Sequence, residues 1–299
     1  MSQRIPVDTG QIVVISGAGS GIGFATARHL ADIGYTVIAG VRTVAQADRL
    51  RQGAGPNLVP FPFDVTRDGD IESVVAHVEH LRQEGRTLRG VFSNAGMEGR
   101  SADKSAEGCP ISSLEEVMEV NYFGAVRFIK GFLPMARADR STIVINSALM
   151  ARIVLPFNAG YAPSKAALES WAIGLRREIA PLGVRVTLIE LGGIATPLTS
   201  SAGSEDAPNP LYPQQEAVTA EFAELATKAA GHRRMQPEYV AEIVARALAS
   251  DPPRLRYLGG GGAHLLATVA ALPQRLQDRV INRLLSRGAW QKTTIPHRD

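Results

Sequence analysis

Short β-branched runs alternate with longer stretches of helical periodicity along most of the chain. Gln11 to Ser16, Thr36 to Val41, Leu58 to Phe63, Leu88 to Ser93, Thr142 to Asn146 and Val184 to Ile189 read as six short strands, apolar enough to be buried on both faces. Between them the pattern predicts helices from about Phe24 to Ile33, Asp70 to Glu84, and Ser112 to Phe132, and then from just after Lys165 to Pro181. Past the sixth strand, Gln214 to about Ala230 and Pro237 to Ala249 read as helices and Leu255 to Leu258 as a short seventh strand. A last helix sets Arg275, Arg279, Arg283 and Arg287 at four-residue steps opposite Leu276, Val280 and Leu284. Uninterrupted alternation of strand and helix is the signature of an α/β fold, a doubly wound parallel sheet with helices on both faces. In such sheets ligands bind beyond the carboxyl ends of the strands.

Composition narrows the classes. With 45% hydrophobic and 20% charged residues, the 299-residue chain has ample material for a core. Nothing marks a boundary, so residues 1–299 read as one domain. Thirty-two basic against 29 acidic residues is no nucleic-acid footprint. His77 and His80 lack a carboxylate-rich surround, so no metal is expected, and the single Cys109 excludes an internal disulfide. The start lacks a signal pattern, and no apolar run reaches the ~18 residues a bilayer span needs. The expectation is a soluble cytoplasmic protein, with peripheral membrane contact through the arginine stripe left open beside a plain solvated helix face.

Polar features gather at the strand ends. GAGSGIG, following the first strand, supplies Gly17, Gly21 and Gly23, which allow a tight turn and close approach of a pyrophosphate to the free N–H groups of a helix start. A glycine-rich structural turn is the alternative. The second strand ends without the acid that would bind a ribose 2′-hydroxyl; Arg42 follows instead and suits a 2′-phosphate, favouring NADP(H) over NAD(H), unless it is a solvated charge. Asp64 ends the third strand, where its carboxylate would accept from an adenine amino group or else serve a helix cap near Asp68. Asn94, Ala95 and Gly96 close the fourth strand with small groups against which a cofactor would lie, or with a plain turn. Asn121 sits in an otherwise apolar helical stretch and must find partners.

Tyr161-x-x-x-Lys165 stacks a phenol and an ammonium on one helix face if Pro156 or Pro163 starts that helix. Bringing a tyrosine from ~10 to about 7 requires roughly 4 kcal/mol of preferential stabilisation of the phenolate. The lysine, beside a cationic nicotinamide, is expected to supply it.

GAGSGIG, the Asp64 turn, SNAG from Ser93 to Gly96, VNYFG around Asn121, YAPSK and LGGIAT together resemble the short-chain dehydrogenase/reductase family from about Gln11 to Leu198. FLPMAR, LRREIAPLGVRV and the tail near RYLGGGG are most similar to the retinol, hydroxysteroid and 3-hydroxybutyrate dehydrogenase branch. The resemblance implies a Rossmann-type sheet of about seven strands and hydride transfer between NADP(H) and a carbonyl or secondary alcohol, often a lipophilic one. It implies that Tyr161 exchanges the hydroxyl proton, that Lys165 holds the nicotinamide ribose and lowers the tyrosine pKa, and that Asn121 supports a water relay. It adds Ser20, Ile22 and Val65 to the cofactor contacts and has Gly192, Ile194 and Thr196 embrace the carboxamide. A homo-oligomer, dimer or tetramer, is also implied.

One departure matters. Counting back from the tyrosine, the family's substrate-binding serine falls on Ala148, and Ser147 matches its neighbour. Either the loop shifts so that Ser147 serves as the catalytic hydroxyl, or the enzyme works without one, or the chain is a cofactor-binding module with impaired catalysis. Residues 199–231 are expected to form a substrate lid, with a bland surface insertion as the alternative, and 288–299 a flexible tail. Arg100 to Pro110 is expected to be a surface loop.

Overall fold

The computed structural model describes residues 10–100, 103–194, 211–228 and 236–285. Its strands are β1 (Gln11–Ile15), β2 (Thr36–Val41), β3 (Leu58–Pro62), β4 (Thr87–Ser93), β5 (Thr142–Ala148), β6 (Arg185–Leu191) and β7 (Arg256–Gly259). Its helices are α1 (Gly21–Asp32), α2 (Val44–Arg51), α3 (Asp68–Gln83), α4 (Ile111–Met118), α5 (Ala125–Asp139), α6 (Tyr161–Ile179), α7 (Gln215–Lys228), α8 (Pro237–Ala249), α9 (Ala263–Ala270) and α10 (Gln274–Leu285).

All seven strands pair in parallel in the order β3-β2-β1-β4-β5-β6-β7. This is the doubly wound sheet expected. The period-2 alternation of strand side chains divides the core. Ile12, Val14, Ile143 and Ile145 enter a layer shared with α3, α5 and α6, while Val13, Ile15 and Val144 enter one shared with α1 and α8. Because both faces are covered, the strands read as continuous apolar runs. Strand order reverses between β1 and β4, which leaves a crevice at their carboxyl ends.

Three local differences from expectation have physical causes. The helix anticipated from Ser112 to Phe132 is interrupted by a π-helical turn, Glu119–Gly124, and then continues to Asp139, where Arg140 ends it in the left-handed region at φ 53°. Such a wide turn inserts a residue without breaking the helix and re-aims its side chains, here Asn121. Helix α6 starts at Tyr161 itself rather than at Pro156 or Pro163; Pro163 falls in its first turn, where a missing N–H costs nothing. β3 carries Pro60 and Pro62 because it is an edge strand. Two helices, α2 and α9, were not foreseen.

Candidate active site

The β1–α1 turn is built for close backbone approach. Gly17 and Gly21 hold φ of +68° and +52°. A Cβ on Gly17 would lie 2.8 Å from Ala95 Cα, and one on Gly23 would lie 2.2 Å from the Gly17 carbonyl oxygen and 2.6 Å from Asn94 Nδ2. Ser20 stands at the cap position of α1, but its hydroxyl accepts no helix N–H. The first-turn N–H groups therefore keep no side-chain acceptor, a ready anion site together with the helix dipole. Ile22 packs half-buried behind the turn. Gly23→Ala is expected to destabilise the fold by about 1–3 kcal/mol, as an overpacked contact does. Urea unfolding reads it, and unchanged stability would refute the packing role.

Helix α2 brings two residues that the sequence reading missed. Arg49 donates to the Gly19 carbonyl at 2.9 Å and lies over the Phe24 ring, 4.6 Å from its centroid. Gln46 accepts the Arg42 N–H through Oε1 at 2.8 Å, and its side chain lies over Gly19. Thr43 caps this helix by accepting the Gln46 N–H. The Arg42 side chain is exposed, with its charge felt at Asp64. Asp64 Oδ1 accepts both the N–H and the hydroxyl of Thr66, at 2.9 and 2.8 Å. Burial opposes ionisation of Asp64, but these two bonds and the Arg42 and Arg67 charges outweigh it and hold the carboxyl below its usual range. The cap near Asp68 is not formed by this carboxylate; Asp70 instead accepts the Asp64 N–H. Val65 is buried against Gly124, and its carbonyl accepts from Arg127.

A polar relay crosses the crevice. Asn94 Nδ2 donates to the carbonyls of Ser16 and Gly17, and its Oδ1 accepts from Asn146 Nδ2 at 2.9 Å. The fully buried Ser16 hydroxyl, unforeseen, accepts the N–H groups of both Asn94 and Ala95. Lys165 Nζ in turn donates to the Asn146 carbonyl at 2.9 Å. The glycine turn and the lysine are thus tied together through the ends of β1, β4 and β5.

Tyr161 and Lys165 lie one turn apart on α6, with Nζ 5.7 Å from the phenol ring centroid. Asn121, fully buried, clamps the chain opposite: its Oδ1 accepts the Met97 N–H, and its Nδ2 donates to the Met97 carbonyl and to Ser164 Oγ. Ser164 donates to the Tyr161 carbonyl. A Cβ on Gly96 would meet Asn121 Oδ1 at 3.1 Å and Lys165 Nζ at 3.5 Å, so the residue between amide and ammonium must be small. The structure brings Tyr161, Lys165, Asn121 and Gly96 together.

The electrostatics of the chain's own groups are one-sided at the phenol. Burial pushes Tyr161 up, and the Glu98 charge pushes it further. Burial also brings Lys165 down to about 8, partly opposed by Glu169.

Ser147 has a partner that the sequence did not disclose. Its hydroxyl donates to Glu169 Oε1 at 2.7 Å, and the side chain is buried on the α6 side of β5. Glu169 lies eight residues beyond Tyr161 on α6, about 12 Å along the axis. Ser147 thus spends its hydroxyl proton on Glu169. It belongs to a closed ionic network that the sequence did not disclose: Arg256 pairs with Glu169 and Glu190, and Arg152 with Glu190. Burial pushes the Glu169 carboxyl up, and Glu190 adds to this, against the Ser147 and Arg256 hydrogen bonds.

The far wall is mixed. A Cβ on Gly192 would lie 2.1 Å from the Gly261 carbonyl oxygen, and Gly193 pairs with Gly261, so this glycine pair fits β6 against the chain leaving β7. Ile194 packs its side chain into the core beside α8, and Thr196 lies outside the described residues. Of the expected lid, 199–210 and 229–231 also lie outside them. Within its described part, Val218 and Phe222 of α7 pack with Tyr212 against Phe157, four residues before Tyr161, and Tyr212 donates to Glu107. The loop before α4 is no plain surface loop: Lys104 and Ser105 are buried, and Lys104 pairs with Glu98 at 3.1 Å on the wall beside Tyr161.

Comparison with known proteins places this geometry. A family model described as short chain dehydrogenase matches residues 11–207. The chain is 36% identical over 205 residues to estradiol 17-beta-dehydrogenase 2 of Rattus norvegicus, covering 68% of this chain and 52% of that protein, so it spans about half the length of this relative. It is 30% identical over 289 residues to retinol dehydrogenase 5 of Mus musculus, covering 93% of this chain and 89% of that one. A solved short-chain dehydrogenase from Streptomyces avermitilis superposes with a TM-score of 0.73 at 26% identity, covering 94% of this chain and 96% of that one.

Proposed function

The chain belongs to the short-chain dehydrogenase family, and from that premise we propose that it passes hydride between NADP(H) and a lipophilic carbonyl or secondary alcohol, with Tyr161 exchanging the hydroxyl proton. The observation that carries the reading is the Tyr161–Lys165 pair at the mouth of the crevice, with the lysine anchored on the Asn146 carbonyl and so coupled to the glycine turn.

The residues fit a nicotinamide dinucleotide. Bare glycine Cα atoms at 17 and 23 and the open start of α1 suit the pyrophosphate. Arg42 suits a 2′-phosphate, and Asp64 with Val65 the adenine. Asn94, Ala95 and Gly96 flank the ring half, and Lys165 suits its ribose; at the carboxamide the family resemblance names Gly192, Ile194 and Thr196, of which Ile194 sends its side chain into the core and Thr196 lies outside the described residues. When bound, the nicotinamide supplies or accepts the hydride; the protein supplies position and electrostatics. Because burial keeps the phenol protonated, the chain by itself is set to donate a proton to a ketone. Running the alcohol direction then relies on added positive charge beside Tyr161 to favour phenolate. The lipophilic substrate class is supported by the relatives, an estradiol and a retinol dehydrogenase.

The test is oxidation of NADPH with a panel of steroid, retinoid and short-chain ketones, against NADH. Arg42→Ala should lower the preference for NADPH over NADH about tenfold or more, the worth of a charge-assisted contact. An unchanged ratio would make Arg42 a solvated charge and shift attention to Arg49. Two observations favour a second reading, a cofactor-binding module with impaired turnover: position 148 carries no hydroxyl, and that of Ser147 is given to Glu169. Cofactor binding without consumption by any ketone of the panel would select it.

A further inference from the structure

Helices α9 and α10 form a hairpin that packs on the molecule by one edge. Among residues 263–285, only Ala263 and Gln277 are fully buried. Gln277 ties the two helices, its Nε2 donating to the carbonyls of Ala270 and Leu272, and Leu285 packs against the Phe157–Val218 cluster. Part of the apolar arc remains exposed. Leu276, Val280 and Leu284 are 39%, 38% and 39% exposed, and Leu265 on α9 is 59% exposed. These three α10 positions repeat every four residues and so form one stripe along the helix. The exposed Arg275 and Arg279 lie one residue earlier, about 100° around the helix and so bordering the stripe rather than opposite it, and Arg283 continues the series.

We propose that this apolar edge and its arginine border dock the protein on an anionic phospholipid surface. Aliphatic side chains flanked by guanidinium groups match a headgroup layer, where chains enter the acyl boundary and cations meet phosphates. α10 itself carries one acid, Asp278, which accepts from Gln274. A second copy of the chain is the poorer occupant, because a two-fold contact through this stripe would set the same arginines against one another. No helix among the described residues is long and apolar enough to cross a membrane, so the contact is peripheral. Through Leu285 the hairpin is anchored on the buried Phe157–Val218 cluster. The proposal does not rest on the oxidoreductase reading, since binding is read without turnover.

Flotation of the full chain with extruded vesicles tests it. Co-flotation is expected with phosphatidylcholine vesicles containing phosphatidylserine, with far less on phosphatidylcholine alone, and added salt should release the protein. The double variant Arg275→Gln, Arg279→Gln should lower partitioning about 30-fold, the effect of two surface-bound cations. Leu276→Ser with Val280→Ser should also lower it, and the arginine variant should keep the wild-type unfolding temperature because its side chains are exposed. Absence of co-flotation, or equal binding by the arginine variant, overturns the proposal. So does a dimer seen by light scattering that Leu276→Ser and Val280→Ser dissolve, which would assign this face to a second copy.

Discussion

Tyr161→Phe is expected to cut kcat for ketone reduction at least about a thousandfold, within the range that a positioned general acid supplies. NADPH affinity should stay nearly the same. The substitution removes one oxygen and leaves the ring, the start of α6 and the Lys165 contact with Asn146 in place. A structural role would not separate in this way, because loss of packing would lower cofactor affinity and stability together. The pH profile gives a second readout. Lys165, brought down to about 8 from its usual 10.5, loses its charge as pH rises through about 8, while the raised phenol is still protonated there. In kcat/KM, which reports the free enzyme, the wild type should therefore be level near neutrality and fall above pH about 8. A Phe variant keeping more than about a tenth of the wild-type kcat would end the assignment of Tyr161 as general acid.

The sheet was legible because its signal is local. Runs such as QIVVIS and TVIAGV fix strand type within a few residues, and unbroken alternation with helices leaves little topological freedom. Residues whose role depends on the strand end they close were also found: Gly17, Gly23, Asn94, Gly96, Tyr161 and Lys165 all gather at one crevice. What escaped was set by contacts distant in sequence. Arg49 reaches the glycine turn from a short polar helix, and Gln46 does the same, which no spacing reveals. Glu169 and Glu190 look like solvated charges in sequence. They are buried because Arg256 and Arg152 arrive from other elements to pair with them. The π-helical turn at Asn121 leaves the apolar periodicity almost untouched, so a straight helix was the natural reading. A four-residue spacing shows that a cation is near, but not how much water the fold removes from the phenol.

Ala148→Ser is expected to raise kcat about a hundredfold over a measurable wild-type rate, the worth of one hydroxyl donor aimed at the reacting oxygen. Ser147 does not stand in for it. Its hydroxyl is the donor to Glu169, and withdrawing it would leave a buried acid short of a partner at a cost of about 1–3 kcal/mol, while Arg256 and Glu190 hold the neighbouring strands in register. Ala148, the family's serine position by the count back from Tyr161, closes β5 at its very end and is 4% exposed. The added oxygen is small, and at a strand end its burial costs no more than about 1–3 kcal/mol of stability. NADPH affinity should not change, because the glycine turn and Lys165 are untouched. Ser147→Ala is the matched control, expected to lower stability and leave kcat alone. If Ser147→Ala lowers kcat while Ala148→Ser leaves it unchanged, the hydroxyl is delivered from Ser147 and the closed network with Glu169 must open during turnover. If Ala148→Ser creates turnover where the wild type has none, the natural chain is the cofactor-binding module, and the alanine is what makes it one.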